Sequence, residues 1–327
     1  VKRARRAEAM GMATFYLGNV AAKAKDHERV IEVLASYGRD FPDQTAYGAN
    51  ALYYVLLAQL AKLDFEAAKA VHAEMVERYP TSSATGTGAL KIYKVYADEQ
   101  NAAEERGDAD AARTALAGRA AYLHISNELS GDPSFVNLRQ EGLLWTELED
   151  WEKAEAATRR TIAAYGDSAE DDVQSKLRTS VKPALARSLL QQRRVQDAVD
   201  VFRELVSDDP EDEDPDKKAS AETVADYCRA LGGWIEGDGR EVIEVPGVGD
   251  AASLAIANSW WKKLMAVESS RKGEEGRGVW TAPWYELRFM YAYTYYKWGQ
   301  IDSKELDLAR AQLLDLRQFL ESEDFEP

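Results

Sequence analysis

Asp212, Asp214 and Asp216 stand at alternate positions in "DDPEDEDPDKK" (208–218), which carries seven carboxylates in residues 208–216. Alternating acids open an EF-hand calcium loop, because they converge on one cation through successive turns of a tight loop. That loop needs a glycine at its sixth position and a bidentate glutamate at its twelfth. Lys217 occupies the first of these, Glu222 falls one residue short of the second, and Pro215 restricts the backbone between them. The run therefore reads as a solvated, self-repelling linker, with no metal expected.

The other reactive side chains are sparse. His27, His72 and His124 share no spacing that would converge on a metal or form an acid–base pair. His72 lies on the apolar face of its helix, where a packed, hydrogen-bonded imidazole is expected. Cys228 is the only cysteine, so no intramolecular disulfide or all-cysteine metal site can form. It reads as a small core residue. "GVGD" (247–250) has glycines with no following Lys-Ser/Thr to hold a phosphate, and no nucleophile elbow, HExxH or Walker loop occurs. No cofactor and no catalysis are expected. A net charge of −16 opposes nucleic-acid binding, since Lys2, Arg3, Arg5 and Arg6 form the only basic cluster. No apolar run reaches the 18 or so residues that span a bilayer.

What remains is aromatic. "FMYAYTYYKWG" (289–299) puts six rings in residues 289–298. Tyr291, Tyr295 and Trp298 form one helical stripe; Phe289, Tyr293 and Tyr296 form a second, roughly 200° around the axis, with Lys297 beside it. Each ring offers about 150–250 Å². An uncovered stripe would thus match or exceed the few hundred Å² that a monomer exposes. Either Trp280, Trp284 or the 251–270 helix folds over the second stripe, or Phe289, Tyr293 and Tyr296 anchor a partner's apolar side chains.

The elements that must position these rings are helices. Ala-, Leu- and Glu-rich stretches place apolar residues three and four apart almost throughout, and 45% hydrophobic with 30% charged residues is a folded chain's composition. "REVIEVPGVGD" (240–250) reads as a loop or small hairpin, with any sheet confined to 240–248. In "LRQEGLLWTELEDWEKAEAATRRTIAAYGDS" (138–168), Gly142 precedes Trp145, Trp151 precedes Ala154, and Gly166 closes the second helix. This frame resembles the tetratricopeptide repeat (TPR), in which small residues let two paired helices approach. It recurs at Leu17, Gly18 and Pro42, at Phe65, Ala68 and Pro80, and at Ala186, Leu189, Ala198, Phe202 and Pro210. The second-helix position runs Val30, Ala68, Ala112, Ala154, Ala198, at intervals of 38 to 44 residues against about 34 for the standard repeat.

The resemblance implies an all-α, right-handed TPR-like solenoid of about seven helix pairs. Five pairs would fill 1–210. Residues 211–250 would hold an acidic linker, a helix and the glycine-rich insertion, and 251–327 aromatic-rich pairs completing the array. Tyr/Phe-Pro turns such as "RDFPDQTAYGANALYY" resemble the TPR arrays of bacterial cell-envelope proteins, which slightly favours periplasm or envelope over cytoplasm. The family usually binds peptides or proteins on the concave face lined by first helices. The expected function is therefore a non-catalytic interaction scaffold, a candidate member of a larger assembly. The alternative is a regulatory or substrate-recruiting module excised from a larger enzyme, in keeping with the abrupt start at Val1. Chaperone-binding members clamp a terminal carboxylate with a lysine and an asparagine. Asn19 matches that asparagine, but Phe15 replaces the lysine; later repeats offer Tyr53, Arg139 and Arg187, which do not reproduce the clamp. With Phe289, Tyr293, Tyr296 and Lys297, these are the candidate partner-binding residues.

Overall fold

Four helix–helix turns are built on one local device, and a fifth shares its backbone. Asp26, Asp64, Asp108 and Asp150 each accept, through the side chain, the N–H three residues on, from Arg29, Ala67, Ala111 and Lys153, at 3.0–3.3 Å. This satisfies an N–H that the first helical turn would otherwise leave unpaired. The residue before each cap reverses the chain in the left-handed region: Lys25, Leu63, Gly107 and Glu149 have φ between 58° and 70°. Arg193 (φ 61°) makes the same turn ahead of Arg194, without a side-chain cap. Four residues past the cap fall Val30, Ala68, Ala112, Ala154 and Ala198, each donating its N–H to the cap carbonyl. All but the half-buried Ala112 are fully buried. The sequence spacing thus tracks the first turn of each second helix.

The computed structural model describes residues 2–212, 214, 217–236, 242–245, 248–270 and 282–320. Its contacts divide the chain into two compact units, Val1–Leu148 and Glu149–Pro327. In the first, α1 (Lys2–Lys23) pairs with α2 (His27–Leu34), and the short α3 (Tyr37–Asp40) leads into α4 (Thr45–Ala61). Next come α5 (Phe65–Arg78), α6 (Ser83–Glu105), α7 (Ala109–Leu129) and α8 (Phe135–Glu147). Helix α4 packs on α2 and α5, α6 on α5 and α7, and α8 on α7. Gly18 shows why small residues recur on first helices. A Cβ there would lie 2.4 Å from Leu34, which is wholly buried.

The second unit begins with α9 (Trp151–Tyr165) and α10 (Asp171–Lys176), then a π-helical turn (Leu177–Val181) running into α11 (Lys182–Gln191). Pro183 accounts for that turn: it lacks an N–H and its ring crowds the carbonyl four residues back, so the ladder widens and Lys182 donates instead to Leu177. Helix α12 (Val195–Arg203) pairs with α11, which also packs on α9. Helices α13 (Ala221–Gly232), α14 (Ala251–Ser270), α15 (Ala282–Ile301) and α16 (Glu305–Leu320) follow, each packed on the next. Phe202, Tyr227, Trp234 and Trp261 are the largest buried side chains of this unit's core.

The expected all-α, TPR-like class is what the chain adopts, with one correction. The hairpin lies at 234–244, pairing β1 (Trp234–Glu236) antiparallel with β2 (Val242–Glu244), so that Trp234 faces Glu244. It begins six residues before the expected hairpin, directly after α13. Gly233, at φ 70°, ends α13 in the left-handed conformation that glycine adopts without strain, and this releases Trp234 into a strand.

Candidate interaction surface

The two stripes of α15 meet different fates. Tyr291, Tyr295 and Trp298 run along one side, Tyr291 edge-on to Tyr295 (5.1 Å, 78°) and Tyr295 stacked on Trp298 (6.2 Å, 6°). Tyr291 and Trp298 pack against the core of the second unit, and Ala292 is fully buried. Burial and the contact with Tyr295 push the Tyr291 phenol well above its usual range. That side is structural.

Along the second stripe Phe289 stacks on Tyr293 (5.9 Å, 16°), and Tyr293 tilts against Tyr296 (6.0 Å, 30°). Its centre is covered by the hairpin. The Tyr293 ring meets Trp234 edge-on at 5.4 Å, and its hydroxyl donates to Glu244 Oε1 at 2.6 Å. Burial and that carboxylate raise its pKa, so the phenol stays protonated as the donor. Trp284 is occupied elsewhere, buried with Tyr285 and Leu316 and donating to Ser269 Oγ. Trp280 lies outside the described residues. Only the ends of the stripe are open, with Phe289 39% and Tyr296 43% exposed. Lys297 is buried. Its ammonium donates to the Gly232 carbonyl and sits 5.5 Å from the centre of the Trp234 ring, while burial lowers its pKa.

At its open end Tyr296 joins α16. With Leu306, Ala309, Leu313 and Leu314 it lines a shallow groove of about 390 Å³, completed by Arg310 and Arg317. Leu306, Leu308, Leu313 and Leu314 are all at least 40% exposed, although burial is the norm for leucine. Sequence reasoning overlooked these leucines. The available signal was that "ELDLARAQLLDLRQFL" carries more leucine than one amphipathic face can bury.

The remaining candidates lie on other helices. Phe15 is buried among Tyr37, Tyr47 and Tyr54, and Asn19 Nδ2 donates to the Tyr54 hydroxyl at 3.3 Å. Tyr53 is half-buried against the core shared by α4, α5 and α6, and Arg139 is half-buried on α8. Arg187 ties α11 to α13 through Asp226 (2.8 Å) and Glu222 (2.7 Å). Phe15, Asn19, Tyr53 and Arg139 lie in the first unit and the others in the second.

His72 is buried with Nε2 3.1 Å from the Thr85 carbonyl, the packed histidine that its place on an apolar face predicts, and burial lowers its pKa. Cys228 is fully buried and its thiol is pushed up, away from the reactive thiolate. His124 Nδ1 lies 2.7 Å from Oε1 of the buried Glu141, whose other oxygen accepts from Asn127. Among the described residues no three His, Cys, Asp or Glu side chains gather as metal ligands, and no helix is long and apolar enough to cross a membrane.

Residues 184–212 match the tetratricopeptide repeat family, and this segment contains α12, most of α11 and the Arg193 turn. No curated protein matches the chain. Among solved structures it is similar to TTC0263, a thermophilic TPR protein of Thermus thermophilus, at 18% identity over 68% of this chain and 98% of that one, with a TM-score of 0.30. It is also similar to the P58(IPK) TPR domain, at 11% identity over 95% and 98% of the two chains, with a TM-score of 0.21. The chain is an all-α protein of TPR-like helix pairs, and its residues 184–212 match the tetratricopeptide repeat family.

Proposed function

We propose that the protein is a non-catalytic interaction module that accepts an apolar side chain of a partner, flanked by carboxylates, in the groove between α15 and α16. Tetratricopeptide repeats are generally protein–protein interaction modules, and the groove supplies the specific observation. Tyr296 and exposed leucines form an apolar floor, and two guanidinium groups complete the lining in a chain of net charge −16. Seating one leucine there is worth about 1.5–3 kcal/mol. Each exposed ion pair adds under about 1 kcal/mol. After the cost of association, one such contact is weak, and tight binding needs further contacts.

The test is selection from a displayed peptide library, followed by titration of the selected peptides. Leucine flanked by Asp or Glu should emerge, and Leu313→Asp or Arg310→Glu should weaken binding at least tenfold with the fold intact by circular dichroism. Peptides lacking that pattern, or variants that bind undiminished, overturn the proposal.

A further inference from the structure

Helix α1 shows an apolar face that the array leaves without a neighbour among the described residues. Helix α4 packs on both α2 and α5, and α6 on both α5 and α7, whereas α1 packs on α2, α3 and α4. It uses one side to do so. Gly11, Phe15, Gly18 and Ala21 are buried, with Gly11 set against Gln44 and Gly18 against Leu34. The opposite side carries Met10, Tyr16, Leu17 and Val20, each 53–65% exposed, together with the exposed Ala9 and Ala13. No charge interrupts it, because "AMGMATFYLGNVAA" (9–22) contains no Asp, Glu, Lys, Arg or His. A helix without a polar face is normally buried all round.

This face is complementary to itself. Met10, Ala13, Leu17 and Val20 are spaced three, four and three, the intervals of a helix-pairing seam. That spacing reads the same from either end, about a centre level with Phe15. An antiparallel copy therefore sets Met10 against Val20 and Ala13 against Leu17, so that a small residue faces a large one on each side of a two-fold axis. A tyrosine offers about 150–250 Å², so each copy presents on the order of 400–500 Å² through its four large side chains and the alanines between them. Two copies bury about 800–1,000 Å², short of the roughly 1,200 Å² of stable interfaces and in the range of weak, reversible ones.

We infer that the chain forms a reversible homodimer by antiparallel pairing of α1 with α1 of a second copy. This surface is separate from the groove between α15 and α16. Arg6 and Lys23, exposed at the two ends of the seam, approach each other across the copies. The association is therefore apolar, and salt strengthens it by screening those cations.

Sedimentation equilibrium of the full chain tests this. The mean mass should rise from one chain toward two as concentration increases, and further with added salt. Leu17→Asp and Val20→Asp, both at exposed positions, should each weaken the dimer at least tenfold with helicity intact by circular dichroism. The orientation has its own readout, since Cys228 is buried and an introduced cysteine acts alone. Tyr16→Cys, beside the axis, should give a disulfide-linked dimer under an added oxidant. Ala9→Cys should not, because the two copies of residue 9 lie about 18 Å apart along the pair, beyond the roughly 7 Å that a disulfide spans. A mass of one chain at every concentration, a dimer unchanged by Leu17→Asp, or one broken by Leu313→Asp in the groove overturns the inference. So does a dimer that dissociates as salt rises, or cross-linking through Ala9→Cys as ready as through Tyr16→Cys.

Discussion

Tyr293 and Tyr296 are neighbours on one stripe of α15, yet truncating them should have opposite consequences. Tyr293 is half-buried, stacked on Phe289, edge-on to Trp234, and bonded to Glu244. Removing a core aromatic side chain costs about 3–5 kcal/mol. Half-burial reduces that to about 2–3 kcal/mol for Tyr293→Ala. Tyr293→Phe keeps the ring and loses only a hydrogen bond to a solvent-exposed carboxylate, about 1 kcal/mol. Tyr296→Ala changes a mostly exposed side chain and should cost no more than about 0.5–1 kcal/mol. For a unit of this size 1 kcal/mol moves Tm by about 2–4 °C. Thermal unfolding should therefore show losses of roughly 4–12 °C for Tyr293→Ala, 2–4 °C for Tyr293→Phe, and at most a few degrees for Tyr296→Ala. Binding of a selected peptide should follow the reverse order, with Tyr296→Ala the weakest binder. If Tyr296→Ala destabilises as much as Tyr293→Ala while leaving the peptide bound, the open end of the stripe is core and the groove is no binding site.

Three further outcomes follow from the turns, the helix contacts and the buried histidine. Leu63 holds φ 60° while 90% exposed, a conformation costing a non-glycine residue about 1–2 kcal/mol. Leu63→Gly relieves this but adds about 0.5–1 kcal/mol of unfolded-state entropy. The net is a gain of up to about 1 kcal/mol in urea unfolding, whereas Gly107→Ala at the equivalent turn should lose stability. Gly18→Val forces atoms onto the wholly buried Leu34 and should cost more than about 2 kcal/mol, exceeding any gain from replacing a helical glycine. Burial depresses the His72 pKa below the unfolded value of about 6.5, so the unfolded chain takes up its proton first as pH falls. Its contribution is complete above about pH 6.5 and is lost as pH drops through the depressed value. His72→Gln, which can still donate to Thr85, should shrink the Tm difference between pH 7.5 and pH 5.5; an unchanged difference would assign the pH response to other groups.

Local periodicity determined most of the fold in advance. The spacing of Val30, Ala68, Ala112, Ala154 and Ala198 tracks the second helices because each lies four residues past a cap that satisfies the helix's own N–H groups. Aspartates such as Asp64 and Asp150 act on residues only three positions away, so the device that starts these helices is local. The two stripes of α15 were legible for the same reason, since their spacing is a property of one helix. What covers a stripe is decided by chain far away. Glu244 reaches Tyr293 across 49 residues, and the Gly232 carbonyl takes the Lys297 ammonium across 65. Both contacts depend on Gly233 ending α13, where the apolar pattern alone would have continued the helix through Trp234. The leucines of α16 likewise look like ordinary core in sequence, and only packing shows that Ala309 and Leu316 are buried while Leu313 and Leu314 stay open. Periodicity reports which residues share a face; which faces meet is set by the long-range contacts that tertiary packing forms.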